Sequence, residues 1–291
     1  MMKVIVTGAA GQLGWELKKT VPESIELKAF DIDQLDITDA KQVKNLVEKE
    51  KPDWVINAAA YTAVDKAEDD VEQAYLINRD GAENIAHACK QVSAKMLHVS
   101  TDFVFDGTQG SPYLTTSQAN PLNVYGASKL AGDEAVLQML GDDCTIVRTS
   151  WVYSSHGYNF VKTMIRLMSE KPELSIVADQ IGTPTWANGL AKAIWSFLKS
   201  NVTGIQHWSN YGVASWYDFA LAIYEESVSL GFINNTCNIK PIRTDQYPLP
   251  AIRPQYSVLD KSNTVTLLDI EPDHWRISLR AMLSEFKNQE Y

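Results

Sequence analysis

Cysteine is scarce in this 291-residue chain, and its placement excludes two structural devices. Cys89, Cys144 and Cys237 are an odd number, far apart, with no C-x-x-C pair. They form neither a disulfide framework nor a cysteine zinc site, and they suit a reducing compartment. Long apolar runs are missing too: no stretch approaches the ~20 residues that a membrane-spanning helix needs. The five histidines, His87, His98, His156, His207 and His274, show no H-E-x-x-H or comparable spacing, so no metal ligands are expected. Basic residues are outnumbered, and a net charge of −10 argues against a nucleic-acid partner and an anionic membrane surface. The first strand reads from Lys3, so no removable signal segment is expected, and the expected location is cytoplasmic. What remains, with 45% hydrophobic and 21% charged residues and no internal repeat, is a soluble globular protein of one or two domains.

Strand and helix patterns alternate through the first half. Short apolar runs at 3–6, 25–30, 54–57, 96–100 and 145–148 read as strands covered on both faces. Helical patterns fall between them at 12–20, 40–49, about 71–91 and 124–140, with Asp39 a candidate N-cap and Pro52 a stop. Such alternation predicts an α/β fold built on a doubly wound parallel sheet, with ligand at the carboxyl ends of the strands. Beyond about Trp151 the rhythm changes: helical segments at 159–168, 187–197, 216–230 and 276–286 are separated by polar loops and a proline-rich stretch, 247–254. The expected organisation is a nucleotide-binding domain over 1–150 and a smaller lobe over 151–291, with segments exchanged between them.

The turn after the first strand reads Thr7-Gly-Ala-Ala-Gly-Gln-Leu-Gly14. Gly8 permits a tight turn, Gly11 lets the main chain approach a pyrophosphate, and Gly14 lets the following helix pack closely. A helix opening near Gln12 would aim its unpaired N–H groups at the anion. The spacing is G-x-x-G-x-x-G, one residue longer than the common dinucleotide fingerprint. The second strand ends in Asp31, at the distance where a carboxylate meets the adenosine ribose hydroxyls, a feature that favours NAD(H) over NADP(H). The plainer reading of Asp31 is the start of a polar loop.

Tyr125-Gly-Ala-Ser-Lys129 places a phenol and an ammonium four residues apart on one helix face. A free tyrosine titrates near a pKa of about 10, and a neighbouring cation is expected to lower it toward usable acid–base chemistry. A second Y-x-x-x-K, Tyr158 to Lys162, follows the fifth strand and is read as structural. Thr101, at the carboxyl end of the fourth strand, offers a hydroxyl to a substrate carbonyl.

These motifs, their order, and Asn57-Ala-Ala-Ala60 resemble the extended short-chain dehydrogenase/reductase family. The likeness narrows to the branch that reduces dTDP-4-dehydrorhamnose through Gly11–Leu17, Asn57–Glu68, Ser100–Phe105, Arg148–Tyr153, Gly182–Thr185, and Arg253-Pro254 with Ser257 and Leu259-Asp260. It spans nearly the whole chain. The resemblance implies a Rossmann-type sheet with a C-terminal substrate-binding lobe, and reduction by NADPH or NADH of the C4 ketone of dTDP-4-dehydro-β-L-rhamnose. Thr101, Tyr125 and Lys129 would be catalytic. Gly8, Gly11, Gln12, Leu13, Gly14, Asp31, Asp36, Ile37, Ala58, Ala60, Thr62 and Val99 would meet the cofactor, with Tyr125 and Lys129. Val64, Thr101, Asp102, Trp151 and Arg253 would meet the dTDP-sugar, Arg253 either pairing with the pyrophosphate or bracing the fold. The product would feed a rhamnose-containing glycan.

Some family members form a dimer bridged by magnesium held on glutamates. Glu16 matches one such position, but another falls on Asn188, an uncharged and poorer ligand, so neither a bridging magnesium nor that bridged dimer is expected, and a monomer and a homodimer both stay open. The dehydratases of the group carry Asp-Glu after the threonine, whereas Thr101 is followed by Asp102-Phe103. The alternatives are another nucleotide-sugar reductase, an epimerase, or a non-catalytic NADP-binding regulatory subunit.

Overall fold

Short apolar strands need cover on both faces, and the chain supplies it by alternating them with helices. The computed structural model describes residues 1–290. Its first half runs β1 (Met2–Thr7), α1 (Gln12–Lys19), β2 (Ile25–Phe30), α2 (Ala40–Glu50), β3 (Trp54–Asn57), α3 (Val71–Tyr75), α4 (Gly81–Val92), β4 (Lys95–Thr101), α5 (Val124–Leu140) and β5 (Cys144–Thr149). The second half adds β6 (Val152–Tyr153), α6 (Phe160–Glu170), β7 (Glu173–Val177), β8 (Ile181–Gly182), β9 (Thr185–Trp186) and α7 (Ala187–Ser200). After these come β10 (Gly204–His207), β11 (Ala214–Ser215), α8 (Trp216–Leu230), β12 (Asn238–Ile242), α9 (Ser262–Leu268) and α10 (Trp275–Glu290).

Six parallel strands form the main sheet in the order β10-β5-β4-β3-β1-β2. The chain leaves β1 for β2 on one side and resumes with β3 on the other, so a crevice opens where β1 and β3 diverge, the usual ligand position in such sheets. Thr7 lies opposite Asn57 there and donates its hydroxyl to Asn57 Oδ1 at 2.7 Å. One face of the sheet is covered by α1 and α7, whose Leu13, Leu17, Leu190 and Ile194 share a core with Val4, Val6 and Ile56. The other face buries Val43, Ile85 and Val136 against Ile5, Val55 and Met96. A separate core joins α6, α8 and α10 through Met164, Phe219 and Leu283, beside the parallel β7–β12 pair.

Asp39 caps α2, accepting from the N–H groups of Lys41 and Gln42. The helical pattern at 71–91 is not one helix. A five-residue π turn, Leu76–Asp80, separates α3 from α4. The turn brings Asn78 inward, where its amide meets both backbone groups of Tyr61 (2.8 and 3.1 Å) and the Ser128 hydroxyl (3.0 Å). Single-turn insertions of this kind often lie beside functional sites. The short, polar α9 carries little apolar periodicity and was not legible as a helix.

Candidate active site

The glycine turn closes tightly on its surroundings. Gly8 has φ +73°, and a Cβ there would stand 2.7–2.8 Å from the Ala58–Ala59 backbone. A Cβ on Gly14 would stand 2.2 Å from the Gly8 carbonyl oxygen. Gly11 is the N-cap of α1 and makes no side-chain capping bond, so the first-turn N–H groups keep their capacity for an outside acceptor. That donor set fits a diphosphate.

Two adjoining cavities meet at Gly11, Ala58 and Ala60. The larger, about 530 Å³, runs from Gln12 and Leu13 past Thr62 and Val99 to Thr101, Asp102, Tyr125, Lys129 and Trp151. The smaller, about 250 Å³, is bounded by Gly8, Asp31, Asp36 and Ile37. Asp31 Oδ1 accepts from the Ala10 N–H at 3.3 Å, and Asp36 Oδ1 accepts from the N–H and hydroxyl of Thr38 at 2.9 and 2.8 Å. The residues bounding this smaller cavity include these two carboxylates and no lysine or arginine. Gly14 borders neither cavity, consistent with a packing role.

The three residues expected to be catalytic share the larger cavity. Asn123 caps α5 by accepting from the Gly126 N–H, which starts the helix just before Tyr125, and the Phe103 ring holds the phenol edge-on at 5.7 Å. The expected tuning of the phenol by Lys129 is not found. Burial pushes the Tyr125 phenol up to about 12; the Thr101 hydroxyl opposes that rise, while the charges of Asp102 and Asp133 add to it. Lys129 Nζ is turned elsewhere, 2.7 Å from the Val99 carbonyl and 3.2 Å from His98 Nε2. Its ammonium is itself driven down to about 8 by burial, against the pull of Asp133. Helix spacing put the two residues on one face, but the strand beside the helix decides where the amine points.

Asp102 also lines this cavity, with Thr101 donating to its Oδ1 at 3.1 Å. Burial raises its carboxyl to about 7, against the hydroxyls of Ser257 and Thr101. In the unfolded chain it titrates near ~3.9. Above about pH 7 the folded state therefore holds a buried charge, and that cost fades as pH falls toward about 4. Asp102→Asn is expected to melt higher than the parent at pH ~8, with the gap closing by pH ~4. A gap that does not change with pH, measured by thermal unfolding, refutes the desolvated carboxylate.

Trp151 lies in the cavity wall with φ +46°, a backbone conformation that typically costs ~1–3 kcal/mol for a residue other than glycine. It is held by a face-to-face stack on Trp216 (3.6 Å, 6°) and by the Thr185 N–H bonding to its carbonyl at 3.1 Å. Gly182 leaves the room: a Cβ there would stand 2.6 Å from the Trp151 ring. Thr149 was not singled out in the sequence, yet it lines the cavity and its buried hydroxyl has no protein partner. A strand-end threonine gives no signal of that kind.

Val64, Gly14 and Tyr158 do not stand where they were expected, and the choice left open for Arg253 falls to bracing the fold. Arg253 does not line either cavity; its guanidinium forms a two-point pair with Asp65 at 2.9 and 2.7 Å, which holds the Asp65 carboxyl below its usual range. The pair ties the proline-rich loop to the segment after Ala60, with Asn123 Nδ2 bonding the Ile252 carbonyl at 2.7 Å alongside. Val64, half-buried, also lies off the cavity lining. Tyr158, read as structural, is 99% exposed and stands at the cavity rim. Its loop is fastened to the glycine turn by His156, which stacks on Trp15 and reaches the Ala10 carbonyl at 3.0 Å, and by Asn159, which donates to Gln12 Oε1 at 3.0 Å. Glu16 faces inward, fully buried, accepting from Ser154 (3.0 Å) and Asn188 (2.8 Å).

A family profile described as RmlD substrate binding domain matches residues 2–288. The chain belongs to this family. A dTDP-4-dehydrorhamnose reductase of Burkholderia thailandensis is 40% identical, the alignment covering 99% of this chain and 100% of the relative. The spore coat polysaccharide biosynthesis protein SpsK of Bacillus subtilis is 41% identical over 98% of each chain. Among solved structures, a dTDP-4-dehydrorhamnose reductase of Bacillus anthracis in complex with NADP superimposes with a TM-score of 0.92 at 40% identity, covering 98% of this chain and 100% of that one. Family membership makes the chain an oxidoreductase on a Rossmann-type sheet. No helix among the described residues is long and apolar enough to cross a membrane.

Proposed function

We propose that this chain reduces the C4 ketone of dTDP-4-dehydro-β-L-rhamnose to dTDP-L-rhamnose with NADPH or NADH. The observation that carries the reading is one cavity shared by the uncapped start of α1, by Thr101, Tyr125 and Lys129, and by Asp102 and Trp151. Residues 1–150 would hold the cofactor and 151–291 most of the sugar nucleotide. Gly11, Gln12 and Leu13 hold the diphosphate, Asp31 the adenosine ribose, and Lys129 the nicotinamide ribose. When bound, the reduced nicotinamide supplies a hydride to the carbonyl carbon. The Thr101 hydroxyl turns from Asp102 Oδ1 to donate to the C4 oxygen, and Tyr125 Oη gives that oxygen its proton as charge develops on it. A phenol titrating at about 12 is protonated throughout the neutral range, as a donor must be. Asp102, near its own midpoint at neutrality, can give or accept a hydrogen bond at a sugar hydroxyl. The Trp151 ring suits the apolar face of a sugar or base.

The test is consumption of NADPH or NADH by the purified protein with enzymatically prepared dTDP-4-dehydrorhamnose, each cofactor in turn. Tight cofactor binding without turnover supports a regulatory subunit instead. Asp31→Ala is expected to shift relative affinity toward NADPH by about tenfold, because a carboxylate that accepts from ribose hydroxyls also repels a 2′-phosphate; charge-assisted hydrogen bonds of ~1.5 kcal/mol set that scale. Unchanged relative dissociation constants remove Asp31 from the ribose.

A further inference from the structure

Behind Lys129 lies a buried polar chain that the proposed chemistry does not use. It starts where Thr7 Oγ1 and the Ala59 N–H both donate to Asn57 Oδ1, at 2.7 and 3.2 Å. With its carbonyl end so engaged, Asn57 turns its amide nitrogen to His98 Nδ1, 3.1 Å away. Nδ1 is therefore the acceptor of the imidazole, and the proton of the neutral ring sits on Nε2. Nε2 stands 3.2 Å from Lys129 Nζ and 3.8 Å from Asp133 Oδ1. Asn57, His98, Lys129, Asp133 and Arg148 are all buried.

The charged neighbours are few. Asp133 on α5 accepts through Oδ2 from Ser100 (2.8 Å) and Arg148 Nε (3.3 Å), while its Oδ1 has no hydrogen-bond partner. Arg148 comes from β5, and β3 contributes only the uncharged Asn57. Asp102 and Tyr125 lie in the wall of the same cavity as Lys129. Burial, and secondarily the Lys129 charge, hold the His98 imidazole well below its ordinary range, so the ring is neutral.

We propose that His98 is a positioning residue for Lys129: presenting Nε2–H to the amine, it adds to burial in disfavouring the ammonium and so helps set the pH at which the lysine is charged. An ammonium has three donors and no lone pair, so a further donor aimed at it is one too many. An uncharged amine accepts from His98 while giving an N–H to the Val99 carbonyl. When Lys129 is charged, the nearest unpartnered acceptor for the His98 proton is Asp133 Oδ1, which at 3.8 Å is out of hydrogen-bond reach, so the proton is left unsatisfied. Orientation is transmitted from the first turn of the fold, because Thr7 and Ala59 fix Asn57, and Asn57 fixes the ring. The inference rests on the proposed role of Lys129 only for its effect on turnover.

Nitrogen-15 NMR of histidine-labelled, ligand-free protein reads the ring directly. The expected result is a neutral His98 with its proton on Nε2 from about pH 6 to about 9. Its Nε2 signal should shift with a midpoint of about 8 as Lys129 titrates, and that shift should be absent in Lys129→Met. His98→Gln can offer the lysine a carbonyl oxygen, and the alkaline limb of its kcat/KM profile is expected to move up by about one pH unit. A proton on Nδ1, a charged ring at neutrality, or an unmoved limb in His98→Gln overturns the proposal. Should that variant not fold, the tautomer and the Lys129-linked midpoint decide alone. If Lys129→Met keeps its turnover, the catalytic reading fails while the NMR result still judges this one.

Discussion

Tyr125→Phe is expected to lose about 10²–10⁴-fold in kcat, the range a positioned general acid contributes, while NADPH binding stays within a few-fold of the parent. The substitution deletes one oxygen. The ring keeps its edge-on contact with Phe103, and the helix keeps its Asn123 cap. The high pKa of the phenol sharpens the expectation. Hydride addition leaves an alkoxide far more basic than any phenolate, so a donor titrating at about 12 still transfers its proton downhill. Reduction should therefore show no limb from Tyr125 between about pH 6 and 9, whereas oxidation of the alcohol, which needs the phenolate, should rise steadily with pH. Stopped-flow traces of NADPH consumption read the first result and initial rates in the reverse direction the second. Near-parental turnover in the phenylalanine variant means that another group supplies the proton.

That chemistry was partly legible in the sequence, and the reasons are specific. The strands could be read because a strand covered on both faces is a short apolar run, and β2, β3, α5 and α8 fall where the pattern put them. The glycine turn and the i, i+4 pair are local constraints that spacing alone shows, and the parallel strand order then brings Gly11, Tyr125 and Lys129 to one cavity. Side-chain direction is different, because it depends on what another element brings. Lys129 shares a helix face with Tyr125 yet points to β4, because Val99 and His98 offer it partners there. Arg253 finds Asp65 across 188 positions, a pairing that no local window contains. The π turn at Leu76–Asp80 adds one residue without disturbing the apolar repeat enough to be noticed. Thr149 and Tyr158 border the cavity only because β5 and the loop after β6 end beside it.

The glycines of the turn separate packing from binding, and the two effects should part cleanly on substitution. Gly14→Ala sets a methyl 2.2 Å from the Gly8 oxygen and 2.7 Å from Ala9 Cα, both backbone atoms that no rotamer change can move. Either α1 lifts from the turn, dragging Leu13 and Leu17 out of the core they share with Val4 and Val6, or the turn itself deforms. Overpacking of this severity costs about 3 kcal/mol, which a shift in the denaturant midpoint should reveal even without ligand. Gly11→Ala differs. Its φ is −69°, open to any residue, and the nearest atom to the new methyl is the Gly8 oxygen at 3.3 Å. Stability should change by less than about 1 kcal/mol, yet a methyl now stands where both cavities meet, and NADPH affinity should fall by about 100-fold or more. If Gly14→Ala unfolds at the parental midpoint, the close approach of helix and turn is wrong. If Gly11→Ala binds NADPH as well as the parent, the diphosphate does not cross this residue, and the donors at the start of α1 serve some other anion.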